Sequence, residues 1–149
     1  MERRNKFFIV FSVVILMAIV IGAISYVLID EEGTDRNQSD TGRILEKISI
    51  HRANEIINEN SNLIILDVRT PNEFEDGRLN DSINIDFYSE TFRNELNKLD
   101  KNGTYVIYCR SGNRSGQTFE IMNELGFMEV YDFGSFVEWE GAGYDTVSG

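Results

Sequence analysis

The sequence predicts an α/β domain of three layers, a mainly parallel central sheet with helices on both faces, preceded by one transmembrane helix. Three observations carry this. Short β-branched runs alternate with helix-period segments from Arg43 to the end, the pattern of crossover connections between parallel strands. A charge-free apolar stretch lies near the N-terminus. The 149 residues are 42% hydrophobic and 26% charged with a single proline, a balance that buries one core, whereas two cores in this length would each be marginal.

Taken in order, residues 1–6 form a short basic N-terminus with Arg3, Arg4 and Lys6. Phe7 to Ile29 follows without a charge, and its 23 residues would span about 34 Å as a helix, enough for a hydrocarbon core of about 30 Å. Asp30, Glu31 and Glu32 lie beyond it, so the positive-inside bias keeps the N-terminus cytoplasmic and sends the rest across. The expectation is a single-pass cell-membrane protein, held in the lipid bilayer by Phe7 to Ile29, with its domain extracytoplasmic. A cleaved signal peptide is the competing reading, because Ala23-Ile24-Ser25 is a small-x-small pattern, but the apolar run exceeds a signal core of about 7–15 residues. Residues 30–42 are polar and aperiodic, a flexible linker to a domain over 43–149.

Within that domain the expected strands are Ile48-Ser49-Ile50, Leu63 to Leu66, Ile83 to Ile85, Tyr105 to Tyr108 and Val130-Tyr131. Ala53, Ile56 and Ile57 share a helix face, as do Phe92, Leu96 and Leu99, ended by the turn Asp100 to Gly103. Thr70-Pro71-Asn72-Glu73 has capping-box spacing with proline in the first turn, so a short helix starts there. Phe119, Met122 and Leu125 line a later helix, which Gly126 is placed to end as a left-handed cap.

Composition also excludes. Fourteen basic residues against 25 acidic ones give a net charge of -11, and about -9 remains from Arg43 onward, so nucleic acid is not an expected partner. Cys109 is the sole cysteine and His51 the sole histidine, which rules out a disulfide framework and any metal site built on several thiolates or imidazoles. No cofactor is implied.

One segment departs from ordinary packing. In YVIYC-RSGNRSG an apolar strand delivers Cys109 to its carboxyl end, and small and cationic residues lead into a helix. Ligands of parallel sheets collect beyond the carboxyl ends of strands, where the next helix presents unpaired backbone N–H groups. Ser111, Gly112, Asn113, Ser115 and Gly116 let the backbone curl around one anion. An ordinary thiol, with pKa about 8.5, is only a few per cent ionised at neutral pH. The helix N-terminus and the guanidinium groups of Arg110 and Arg114 would favour the nucleophilic thiolate without a histidine base, and the same positive pocket would hold an anionic substrate.

These residues resemble the single-domain rhodaneses. Leu66-Asp67-Val68-Arg69-Thr70-Pro71-Asn72-Glu73-Phe74 is similar to their LDVRTPxEF signature, Ser82 to Ile85 to their AxNI strand, and Cys109 to Ser115 to their CRSGxRS loop. The resemblance implies a rhodanese-like fold and a sulfurtransferase whose cysteine cycles through a persulfide. Cys109 would take a sulfane sulfur from a small anionic donor such as thiosulfate and pass it to a thiol or cyanide. Arg110, Ser111, Gly112, Asn113, Arg114 and Ser115 would bind the donor, and Asp67 and Arg69 would brace the floor behind them.

Two stretches depart from the family pattern. Gly77-Arg78-Leu79-Asn80-Asp81-Ser82 stands where Gly-His-Ile-Pro-Gly-Ala is common, which leaves that loop's shape open. Ser135 replaces the second glycine of Gly-Gly-x-x-x-Trp; it is expected to narrow or polarise the pocket, and to strain the chain if the backbone there needs positive φ. Trp139 reads as core. Two alternatives stand beside sulfur transfer: a non-catalytic rhodanese-like binding module tethered to the membrane, and a cysteine phosphatase or arsenate reductase. The latter enzymes place five residues between cysteine and arginine where Cys109 and Arg114 enclose four, a tighter turn. A disulfide reductase would need a resolving cysteine, which this sequence with its one cysteine does not supply.

Overall fold

The computed structural model describes residues 42–149. The expected span Phe7 to Ile29 and residues 30–41 of the expected linker over 30–42 lie outside them, and among the described residues no helix is long and apolar enough to cross a membrane. In chain order the elements are β1 (Ile44–Lys47), α1 (Ile50–Glu59), β2 (Ile64–Asp67), α2 (Pro71–Asp76), β3 (Ile83–Asn84), α3 (Phe92–Lys98), β4 (Thr104–Cys109), α4 (Asn113–Glu124), β5 (Glu129–Ser135) and α5 (Phe136–Gly141).

The five strands pair in parallel in the order β1-β5-β4-β2-β3. β4 lies at the centre and is buried from Tyr105 to Cys109, as its unbroken apolar run requires. Side chains alternate across it. Tyr105, Ile107 and Cys109 enter one core with Leu66, Phe92, Leu96, Phe119 and Met122, against α3 and α4. Val106 and Tyr108 enter the other with Ala53, Ile56, Phe133, Phe136 and Trp139, against α1 and α5. Trp139 is core, its indole N–H donating to the Asp145 carbonyl at 3.2 Å. Each fully buried Leu, Ile or Met such as Leu96 or Met122 contributes about 1.5–3 kcal/mol.

The helix boundaries follow their side chains. Thr70 accepts from the Glu73 N–H while Glu73 accepts from the Thr70 N–H, the reciprocal box its spacing predicts. Gly126 adopts φ +86 just beyond α4. The first expected strand is misplaced: Ile48, just past β1, donates its N–H to the Asp132 carbonyl at 2.9 Å, Ser49 accepts from the Arg52 N–H at 3.2 Å and caps the helix, and Ile50 already begins α1. The edge strand is the less apolar Ile44–Lys47, mostly exposed.

Candidate active site

Cys109 ends β4 and is 1% exposed, with Arg110-Ser111-Gly112 turning the chain into α4. Gly112 adopts φ +93, which a side chain resists, and its N–H donates to Cys109 Sγ at 3.1 Å. Ser49, Thr70 and Ser135 cap α1, α2 and α5 with side-chain oxygens, whereas Gly112 offers α4 none, so the first turn of α4 keeps its N–H groups open for an anion.

The loop is set by a neighbouring irregularity. β4 pairs Ile107 with Asp132 but Tyr108 with Gly134, so β5 carries an extra residue. Gly134 takes φ +81 there, and a Cβ on it would stand 3.4 Å from Gly112 Cα. Two glycine backbones thus pack directly. Ser115, expected to touch the substrate, is wholly buried instead; its hydroxyl donates to the carbonyls of Gly112 at 3.3 Å and Gly134 at 3.5 Å, fastening the loop to β5. Ser111 on the loop and Asn113 at the start of α4 are exposed, Asn113 accepting from the Gln117 amide at 2.8 Å.

The two arginines differ. Arg114 lies half-buried on the first turn of α4 and donates to both oxygens of Glu73, at 2.7 and 2.8 Å. The guanidinium of Arg114 holds Glu73 well below the carboxylate range, at about 2, with Thr70 adding its hydrogen bonds. Reciprocally, Glu73 raises Arg114, and the negative form of Cys109 contributes in the same direction. The expected grip of Arg114 on a donor oxyanion is therefore already filled by a side chain of α2, a partner that sequence spacing across 41 positions did not show. Arg110 is exposed, and among the described residues its guanidinium has no hydrogen-bond or ion-pair partner.

Asp67 and Arg69 form a buried pair at the end of β2. Arg69 Nε and Nη2 donate to the Asp67 carboxylate at 2.9 and 2.6 Å, and Nη2 also reaches the Gly77 carbonyl at 2.5 Å. Its guanidinium lies 3.9 Å from the centre of the Phe136 ring. Burial opposes the Arg69 charge, but Asp67 more than compensates and raises its pKa. Asn84 on β3 donates to the Asp67 and Arg69 carbonyls at 3.0 and 2.9 Å, clamping this corner. His51 sits on α1 and meets the Tyr144 hydroxyl. Among the described residues no three His, Cys, Asp or Glu side chains gather as they would around a metal ion.

The model of the rhodanese-like domain matches residues 49–142. The chain belongs to the rhodanese-like family. It is 35% identical over 69 residues to the thiosulfate sulfurtransferase PspE of Escherichia coli, covering 46% of this chain and 66% of that protein, just under two thirds of its length. It is 31% identical over 97 residues to the putative sulfurtransferase YtwF of Bacillus subtilis, covering 65% of this chain and 92% of that one. A crystal structure of a rhodanese-related protein from Thermoplasma volcanium superposes with a TM-score of 0.60 at 30% identity, covering 68% of this chain and 97% of the other.

Against the usual rhodanese pattern, local hydrogen bonds hold both departures, and Asp81, where that pattern has glycine, takes the left-handed φ of +58. The loop without its histidine and proline is held by the buried Leu79, whose N–H donates to the Tyr108 hydroxyl at 3.2 Å, and by Ser82, whose hydroxyl donates to the Leu79 carbonyl at 2.6 Å. Arg78 adds an antiparallel bridge to Val147. Ser135 does not strain the chain, since its φ is -112 and the left-handed residue of the pair is Gly134. Its hydroxyl is spent on the Arg110 carbonyl and the Glu138 N–H, both at 3.2 Å, so it ties the cysteine loop to α5 rather than polarising a pocket.

The sequence also gave no notice of Asp132. This carboxylate is buried on β5 and accepts from the Gly134 N–H at 3.0 Å, which closes the turn that supports Gly112. Burial pushes its pKa up, with the Ser115 and Gly134 hydrogen bonds and Lys47 opposing. An acidic residue between two aromatics, Tyr131 and Phe133, and two positions before a glycine was the available signal.

Proposed function

We propose that this rhodanese-like domain transfers a sulfane sulfur from thiosulfate or a persulfide donor to a thiophilic acceptor through a persulfide on Cys109. The observation that carries the reading is the Gly112 N–H on Cys109 Sγ at the uncapped start of α4. In this mechanism the Cys109 thiolate attacks the outer sulfur of the donor; an S–S bond forms, the donor's own bond to that sulfur breaks, and its electron pair leaves with sulfite or a thiolate. The persulfide's terminal sulfur then lies over the N–H groups of residues 111–114, which stabilise its negative charge. Arg110 draws in the donor's oxyanion, and Arg114, fixed by Glu73, supplies field rather than a hydrogen-bonding fork. Cyanide or an acceptor thiolate attacks the terminal sulfur and returns the pair to Sγ.

Mass spectrometry of the protein after thiosulfate tests this. One sulfur atom is gained, is removed by cyanide, and is absent from Cys109→Ser. A thiol that stays free, with thiocyanate formation at background, returns the domain to a binding role. The same proposal places the domain outside the cytoplasm on the Phe7 to Ile29 anchor, on the strength of that run's length and its basic flank. Protease added to intact cells should remove the domain, and the full chain should stay with membranes at high pH. Protection from protease, or release at high pH, would refute the placement.

A further inference from the structure

Beside the cysteine loop, α2, α5 and Arg110 line an open recess of about 200 Å³. It is smaller than the roughly 300–1,000 Å³ that drug-sized ligands occupy, so it suits a small metabolite. Phe136 and the exposed Val137 give it an apolar side. A methyl group built on Gly77 would stand 3.6 Å from the Phe136 ring edge and 4.0 Å from a Glu140 carboxylate oxygen, which shows how closely these walls approach.

The charges are sorted. Arg69 is spent on Asp67 and Glu73 on Arg114, so neither is available to a guest. Arg110, Asp76 and Glu140 remain, and among the described residues none of their charged groups has a hydrogen-bond or ion-pair partner. The unpartnered groups are thus one cation and two anions around an apolar wall. They complement a molecule carrying a carboxylate and an ammonium on a short carbon stem.

Building on the sulfurtransfer reading above, we propose that this recess holds the zwitterionic head of a small α-amino thiol, or of its persulfide, with its carboxylate on Arg110, its ammonium between Asp76 and Glu140, and its sulfur directed to Cys109. As acceptor, its thiolate attacks the terminal sulfur of the Cys109 persulfide. A new S–S bond forms, the bond to Sγ breaks, and the electron pair returns to Sγ, so no outside oxidant or reductant is needed. Run backwards, the same step loads Cys109 from an amino-acid persulfide.

Two measurements on the full chain test the recess. Cys109 loaded from thiosulfate is discharged by cysteine, by cysteamine, which lacks the carboxylate, and by 3-mercaptopropionate, which lacks the ammonium. After correction for thiolate fraction, kcat/KM for cysteine is expected to exceed each of the others by about tenfold. Arg110→Gln should abolish the advantage over cysteamine, and the double variant Asp76→Asn, Glu140→Gln the advantage over 3-mercaptopropionate. Equal rates for the three thiols, or variants that slow all three alike, overturn the proposal. Separately, S-methylcysteine, which cannot accept sulfur, should shift the backbone amide signals of Arg110, Val137 and Glu140, and an absence of shifts at millimolar probe overturns it. Those shifts in a protein that never gains sulfur would keep the recess and refute the sulfurtransfer reading, whereas loading without them would do the reverse.

Discussion

Replacing Glu73 by glutamine removes the charge that fixes Arg114 and leaves most of the shape in place. The Glu73 carboxyl titrates at about 2 instead of the ordinary 4.5, and at about 1.36 kcal/mol per unit that is roughly 3 kcal/mol without screening. The pair is partly open to water, with side chains 22% and 12% exposed, so a realistic cost for Glu73→Gln at pH 7 is about 1–2 kcal/mol. The sign of the pH dependence follows from the depressed pKa. Above about pH 4.5 both folded and unfolded carboxyls are ionised and the contribution is complete; it drains away as pH falls towards 2. Urea unfolding of wild type and Glu73→Gln at pH 7 and pH 3 should therefore show a stability gap that shrinks to less than about half at the lower pH. A gap equal at both pH values, or none at pH 7, would mean that the ion pair does not fix α2 to the cysteine loop.

Gly134→Ala places a Cβ at φ +81 and 3.4 Å from Gly112 Cα; it should destabilise the fold by about 1–2 kcal/mol and lower sulfur loading of Cys109 more than the stability loss explains, measured by denaturation and by mass. If Arg114 supplies field to the nucleophile as proposed, Arg114→Ala should make iodoacetamide alkylate Cys109 several-fold more slowly at pH 7; an unchanged rate would remove Arg114 from that role. Because the domain carries about -9, loading by thiosulfate should speed up modestly as salt rises from low ionic strength, and a steep fall in stopped-flow rates would contradict that.

Much of the domain follows from local chemistry. The apolar run Tyr105 to Tyr108 could only be a buried strand, Thr70 to Glu73 could only open a helix, and a glycine at 112 lets the chain turn left-handed beneath a cysteine, so the fold class and the nucleophile's place are legible residue by residue. Ile48 to Ile50 misled because β-branched residues suit strands while Ser49, read alone, does not announce that its oxygen will cap α1.

Long-range partners were decided elsewhere. That Glu73 reaches Arg114 across 41 positions, that Gly134 lies against Gly112, and that Asp132 is buried beneath the loop all depend on how β4, β5 and α2 converge. Sequence patterns encode which face a residue turns to its own element, with a period of 2 or 3.6. Charge pairing and close backbone approach depend on distances between elements, which exist only once the sheet has closed around its centre. So the sequence alone placed a thiol at a helix start, and the tertiary structure determined that one of its two arginines is already paired while the other has no partner among the described residues.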